Sequence, residues 1–165
     1  MAATFHFSGV KKLKFAFYES RFGLIKIGYE DSEICSIKTA ESIDCENCRN
    51  SFSDKAFKQL EEFFMKERKA FNLPLKIKGT PFQEKVWRAL MEIPYGETRT
   101  YGEIAGKIGC PKGERAVGSA IHNNPLWIVI PCHRVVGKGG KLTGYAGGLL
   151  MKRKLLQIEG EGADE

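Results

Sequence analysis

Thr100-Tyr-Gly-Glu-Ile-Ala-Gly-Lys-Ile-Gly-Cys-Pro-Lys-Gly-Glu-Arg-Ala-Val-Gly-Ser-Ala-Ile-His-Asn123 decides how the second half of this chain folds. Thr100 and Glu103 have capping-box spacing, in which each side chain satisfies a backbone N–H of the first helical turn. The helix they start has Tyr101, Ile104, Ala105 and Ile108 on one face and stops at Gly109. Cys110-Pro111-Lys112-Gly113 is a turn, and a further helix is predicted from Glu114 to about Asn123. Two short helices around a glycine-containing turn suggest a helix-turn-helix, although such pairs more often simply pack. The second helix carries Gly118, Ser119 and Ala120, small residues that let another surface approach the backbone. Arg115 stands at its start, where a cation opposes the helix macrodipole and gains from a different partner.

Working upstream, Thr80-Pro81-Phe82-Gln83 is another capping box, with proline at the first helical position. Phe82, Val86, Ala89, Leu90 and Ile93 recur at helical spacing until Pro94-Tyr95-Gly96 breaks the pattern. Phe71 to Gly79 reads as an extended connection. Before it, Ser53 is the expected cap of a helix over 54–69, with Phe57, Leu60, Phe63 and Phe64 as its apolar stripe. Residues 39–52 are polar and read as loop. Three alternating segments, 14–19, 24–29 and 33–38, have the spacing of an antiparallel meander. The boundaries expected are therefore 1–79 for an α/β unit of small sheet plus helix, and 80–165 for a mainly helical one.

Working downstream, the apolar run Leu126-Trp127-Ile128-Val129-Ile130 leads into Pro131-Cys132-His133-Arg134-Val135. A thiol beside a histidine after such a run looks like a nucleophile at the floor of a dry pocket. The thiolate is the reactive form, so the cysteine needs a base or a cation nearby. On the pentapeptide alone, a small buried hydrophobe is the commoner reading of Cys132.

The net charge is +6, distributed as +3 over 1–79, +7 over 80–158 and −4 over 159–165. The basic second half suits a polyanion such as nucleic acid, against the blander reading of a solvated basic surface. No run has transmembrane length and no signal peptide is visible, so a cytoplasmic protein is expected, nuclear in a eukaryote. The five cysteines are an odd number without a secretion signal, which argues against a disulfide framework. Cys45-x-x-Cys48 has the spacing of half a zinc site and would need Cys35 and His6 to complete it. Free thiols, or a local disulfide, are the alternatives.

Further segments now join these: Thr80-Pro-Phe-Gln-Glu-Lys-Val-Trp87, Ile93-Pro-Tyr-Gly-Glu97, Asn123-Asn-Pro125, Ile130-Pro-Cys-His-Arg-Val-Val-Gly137, Gly144-Tyr-Ala-Gly-Gly-Leu149 and Glu159-Gly160. Together with Thr100–Ala105 and Arg115–Gly118, this series resembles the O6-alkylguanine-DNA alkyltransferases, in family order from residue 80 onward. The resemblance implies a ribonuclease H-like α/β N-terminal domain and a mainly α C-terminal domain with a winged-helix-like helix-turn-helix. It implies a DNA repair protein that moves the alkyl group of O6-alkylguanine, and secondarily of O4-alkylthymine, from duplex DNA irreversibly onto its own cysteine. By position, Cys132 is the acceptor, His133 its base through a water, and Glu159 the group orienting His133. Tyr101 donates to the leaving purine, and Asn124, counted among the catalytic residues, marks the hinge before the active-site segment, with its amide also able to support the tyrosine or the bound water. Arg115 is the finger that replaces the flipped base. Thr100, Ala116, Gly118 and Ser119 face DNA in the minor groove. Tyr101, Val135, Tyr145, Ala146 and Gly147 line the base pocket, with Lys152 near it or solvated. No metal or cofactor is implied, and the partner is duplex DNA bound by a monomer. The competing reading is a non-enzymatic lesion-binding protein of the alkyltransferase-like kind, which lacks the acceptor cysteine that is present here. A cysteine hydrolase is disfavoured because adjacent residues on an extended segment point apart.

Overall fold

A computed structural model describes residues 11–160. Strands β1 (Lys14–Ser20), β2 (Gly23–Glu30) and β3 (Glu33–Ala40) form an antiparallel meander in that order. Two-residue links join them, with Ser20 opposite Gly23 and Glu30 opposite Glu33. Gly23, the first residue of β2, takes φ +96°, and Asp31, inside the second link, takes φ +50°. Alternation buries Ala16 and Tyr18 in β1 and Ile25 and Ile27 in β2, while an extra residue in β3 brings Ile34 and Ile37 into the core. The register shifts between Gly28 and Tyr29. A Cβ on Gly28 would stand 2.3 Å from Ser36 Oγ, so only glycine allows that approach.

Helix α1 (Ser51–Phe64) packs on the sheet and begins earlier than expected. Asn50 is its N-cap, and Ser53 is the reciprocal third residue of the capping box. Both residue types are good caps, and the sequence pattern alone picked the wrong one. The helix also ends five residues sooner than expected, because Met65 closes it and Lys66 takes φ +62°. Tyr18 stacks on Phe57 with centroids 4.4 Å apart, and its hydroxyl meets Ser53 Oγ and Asp54 Oδ1.

The segment 71–79 is more than a connection. Ile34 N–H donates to Pro74 O at 2.8 Å and Lys76 N–H to Ile34 O at 2.9 Å. Further along β3, Ile37 N–H donates to Pro125 O and Trp127 N–H to Ile37 O, both at 2.9 Å. The free edge of β3 is thus covered by two parallel bridges, and the second one leads directly into the active-site segment.

Helices α2 (Pro81–Met91), α3 (Tyr101–Lys107), α4 (Glu114–His122) and α5 (Leu149–Ile158) make up the second half. Thr80 with Gln83 and Thr100 with Glu103 form the two capping boxes read from the sequence. Gly113 precedes α4 without a side-chain cap, and a Cβ there would stand 2.4 Å from Cys110 Sγ. Trp87 is 2% exposed and donates its indole N–H to Ala120 O at 2.8 Å, tying α2 to the end of α4. A short parallel pair, β4 (Arg99–Thr100) with β5 (Val135–Val136), links the start of α3 to the segment after the pentapeptide. One continuous core runs from Ile25 and Phe63 through Trp87 and Leu90 to Ile130 and Leu155.

Candidate active site

The chain reaches the pentapeptide through a tight reversal. Val129 N–H donates to Trp127 O and Ile130 N–H to Leu126 O, both at 2.9 Å. Ile128 holds this turn at φ +71°, a costly conformation for a β-branched residue. Asn124 braces it from both sides: its Nδ2 donates to Ile130 O and its Oδ1 accepts from Leu126 N–H, each at 2.9 Å. Cys132, His133 and Arg134 then form a single 3-10 turn, so their side chains diverge.

Cys132 faces a cavity of about 1050 Å³. Its wall includes Thr100, Tyr101, Arg115, Gly118, Asn124, Trp127 and Tyr145, with Ala146 and Gly147 on the loop between β5 and α5. Burial pushes the Cys132 thiol up; Asn124, Lys152 and Tyr145 act on it in the opposite direction, favouring thiolate. The end of β3 also reaches this wall through Ile37, Lys38 and Thr39, which carry no local signal for it.

His133 points the other way, into the protein, and is fully buried. Its Nε2 lies 2.8 Å from Glu159 Oε1, and its ring edge meets Phe63 of α1. Arg134 closes on the same carboxylate. Nε donates to Oε1 at 3.0 Å and Oε2 at 2.9 Å, and Nη2 to Oε1 at 2.7 Å. Nη1 donates to Ile93 O at 2.7 Å. Gly96 N–H adds a bond to Glu159 Oε2 at 3.2 Å. Burial alone would raise Glu159, but the hydrogen bonds from His133 and Arg134 outweigh it and hold the carboxyl at about 2. Burial meanwhile lowers His133 in spite of Glu159, so the imidazole is neutral at pH 7.

These facts fix a tautomer. An ionised carboxylate only accepts, so His133 Nε2 carries the proton and Nδ1 carries the lone pair. Nδ1 is also the one buried side-chain polar atom without a hydrogen-bond partner among the described residues. A neutral imidazole with a free lone pair, on the residue that follows the thiol, is chemically competent as a general base. Sequence reasoning misses Arg134, although a basic residue next to a histidine that needs a carboxylate is the available signal.

Tyr101 opens α3, and its hydroxyl donates to Thr143 O at 3.2 Å. Lys152 of α5 donates to the same carbonyl at 2.9 Å. It is fully buried, which overturns the solvated alternative, and burial lowers it to about 8. Tyr145 accepts a hydrogen bond from Trp127 Nε1, and burial raises its phenol. Arg115, Ala116 and Ser119 are exposed on α4, and Gly118 is half-buried. Val135 lies off the cavity wall. It is buried in β5, and its N–H is taken by Cys132 O. His133 and Glu159 stand behind the wall. Cys45 and Cys48 are free thiols, and no group of three metal-binding side chains occurs among the described residues. His6 lies outside the described residues. No helix among them is long and apolar enough to cross a membrane.

Comparison with known proteins covers both halves. Residues 13–77 match the family model described as 6-O-methylguanine DNA methyltransferase, ribonuclease-like domain, and residues 81–161 match its DNA binding domain. A Methanosarcina acetivorans methylated-DNA–protein-cysteine methyltransferase is 47% identical over 152 residues, 88% of this chain and 97% of that one. A constitutive Bacillus subtilis protein of the same name is 58% identical over 106 residues, 64% of each chain. The crystal structure of Mycobacterium tuberculosis O6-methylguanine methyltransferase superposes with a TM-score of 0.82 at 41% identity, covering 90% of this chain and 93% of that one. A Mycobacterium tuberculosis structure in complex with DNA gives 0.81 at 43% identity, covering 88% and 91%. With both halves matched in order and a relative aligned over nearly its whole length, the chain belongs to the O6-methylguanine-DNA methyltransferase family.

Proposed function

We propose that this protein repairs DNA by moving the alkyl group of O6-alkylguanine onto Cys132, once per molecule, after the base is flipped out of the duplex. The observation that carries the reading is a cavity-facing thiol followed directly in the chain by a histidine whose tautomer is set by a buried carboxylate. His133 Nδ1 takes the thiol proton through one water. The thiolate attacks the alkyl carbon in line, the sulfur–carbon bond forms and the carbon–O6 bond breaks. The bonding pair passes to the purine, which Tyr101 protonates. Tyr101 can leave Thr143 O for the base, because Lys152 still satisfies that carbonyl. The thioether that results is a dead end, because its carbon–sulfur bond offers no good leaving group. O4-alkylthymine presents the same ether chemistry and is the second substrate.

The target atom is stacked inside a duplex, and flipping costs a few kcal/mol. The helix-turn-helix of α3 and α4 presents Thr100, Arg115, Ala116, Gly118 and Ser119 to the minor groove, with Arg115 filling the space left by the base. A Cβ on Gly118 would meet nothing closer than Tyr101 Cε1 at 3.9 Å, so the interior does not demand glycine there. An outer surface that excludes bulk accounts for it. The protein acts as a cytoplasmic monomer, with Tyr145, Ala146 and Gly147 closing over the base.

The test is incubation with duplex DNA carrying one O6-methylguanine, read by intact-protein and peptide mass spectrometry. One methyl on the Cys132 peptide, in one burst without turnover, is expected. Folded protein that takes up no methyl refutes the reading. Cys132→Ala abolishes transfer and keeps DNA binding.

A further inference from the structure

Trp127 and Tyr145 come from different segments and meet on the wall of the Cys132 cavity. The indole Nε1–H of Trp127 is bonded to the Tyr145 hydroxyl. An indole nitrogen can only donate, so the phenol oxygen is the acceptor. That leaves the phenol's own proton free to point elsewhere. Cys132 lines the same cavity as Tyr145, and the phenol acts on its thiol in the direction that favours thiolate. A thiolate accepts and does not donate, so the direction of the whole chain is fixed by its first member.

The backbone is bent to place Trp127. The residue after it is Ile128, at φ +71° and 1% exposed. A β-branched side chain in that region costs on the order of a kcal/mol and persists only where its surroundings hold it. The indole is 8% exposed, backed by Phe64 of α1 at 6.2 Å, and its backbone N–H is bonded to Ile37 O. The donor is therefore fixed from three sides, whereas Tyr145 sits on a loop.

We propose that Tyr145 is a catalytic residue whose hydroxyl donates to the Cys132 sulfur, and that Trp127 is the positioning residue that turns that hydroxyl toward it. It rests on the reading of Cys132 as the acceptor. Trp127 holds the phenol oxygen from behind, Tyr145 supplies a hydrogen bond that strengthens as the thiol loses its proton, and the indole bond polarises the phenol further. The loop that covers the base is thereby coupled to the sulfur: Cys132 is most reactive when Tyr145 is in place.

The test measures the rate of Cys132 carbamidomethylation by iodoacetamide against pH, by peptide mass spectrometry, in wild type, Tyr145→Phe and Trp127→Phe. This probe reads thiolate formation alone, so its outcome is separate from that of transfer from alkylated DNA, which is measured in parallel. In Tyr145→Phe the midpoint rises by about one pH unit and the rate at pH 7 falls about tenfold. In Trp127→Phe the midpoint moves the same way by about half as much, and the double variant is no slower than Tyr145→Phe. A Trp127→Phe profile that superimposes on wild type removes Trp127 from the relay; an unshifted Tyr145→Phe profile overturns the proposal entirely. A second measurement needs no change at Trp127. In the amide–indole NMR spectrum of Tyr145→Phe, the Trp127 indole N–H signal shifts upfield as its acceptor disappears. The Trp87 signal, bonded to Ala120 O, stays in place as the control. A stationary Trp127 signal refutes the hydrogen bond itself.

Discussion

Arg134→Met tests the electrostatic frame behind the thiol. The methionine keeps an unbranched apolar stem where the guanidinium stem packs, and removes the bonds to both Glu159 oxygens and to Ile93 O. Glu159 is then a buried carboxylate with only His133 and Gly96 N–H to hold it. Breaking a buried pair from one side costs about 3–5 kcal/mol. The titration gives an independent figure. Glu159 is held at about 2 against an ordinary 4.5, a shift worth about 3 kcal/mol above pH 5, part of it owed to His133. The loss expected at pH 7 is therefore about 2–3 kcal/mol, the lower end reflecting the share that His133 keeps.

The pH dependence follows from the direction of that shift. A carboxylate depressed in the fold contributes stability that is complete above about 4.5 and fades as pH falls toward 2. The variant has never had Arg134's share of it. Removing Arg134 also relieves His133, which the guanidinium pushes down, so the variant loses less to histidine protonation in acid. Both effects act alike, and the gap between wild type and variant is widest at pH 7 and narrows toward pH 3. Urea unfolding at pH 7, 5, 4 and 3 measures it, with unchanged slopes confirming comparable exposed surface. A gap below about 1 kcal/mol at pH 7, or one that stays constant down to pH 3, refutes the reasoning. Alkyl transfer falls as well, because a protonated Glu159 can donate to His133 Nε2 and reverse the tautomer. Raising the pH restores it.

Lys152→Met should make the protein more stable at pH 7 and less reactive. Burial lowers Lys152 from 10.5 to about 8, so the charged form costs about 3 kcal/mol below pH 8, offset by about 1 kcal/mol for the lost bond to Thr143 O. A group depressed in this direction relinquishes its cost as pH rises from 8 to 10.5, so the gain seen by urea unfolding vanishes by then; a variant less stable than wild type at pH 7 refutes the assignment. Asn50→Ala should cost about 1 kcal/mol of thermal stability, the usual value of a lost N-cap. If it costs nothing, α1 starts at Ser53 after all. Arg115→Ala should slow repair of duplex DNA while leaving the reaction with free O6-benzylguanine unchanged, measured by Cys132 peptide adducts; equal slowing of both removes the finger role. Binding to duplex DNA should weaken steeply between 50 and 200 mM salt, roughly a hundredfold or more for several phosphate contacts, and a flat response in a filter or fluorescence assay denies the basic second half that part.

The parts of this molecule that were legible in its sequence are the local ones. Thr80 with Gln83 and Thr100 with Glu103 announce α2 and α3 because a capping box is written within four residues. The meander is legible because alternation and turn residues are also local. Asn50 and Ser53 show the limit: a reciprocal box has two competent caps, and only tertiary packing of Tyr18 on Ser53 and Phe57 selects the register. What stayed hidden is long-range. Leu75 and Leu126 pair with the edge of β3, and nothing in either segment names that partner. Trp127 reads as one more apolar residue in its run, since the partner of its indole N–H is a tyrosine 18 residues away. Lys152 had an ordinary helical context and a buried end. The positions of Cys132, His133 and Glu159 came from a family resemblance; the tautomer that gives them chemical sense came from Arg134 and Ile93 O, which are spatial facts.

Glu159 sits at the C-cap of α5, a helix whose own start at Gly148 has no side-chain cap. It is bonded at once to the pentapeptide and to the turn after α2. Three stretches far apart along the chain must therefore be assembled before His133 has a defined proton. A molecule in which α5 has frayed keeps its sulfur but loses the group that makes the sulfur dangerous. Under the proposed single-use chemistry, this is a safeguard against waste: a half-folded copy is inert toward stray electrophiles, and reactivity arrives together with the folded surface around the cavity.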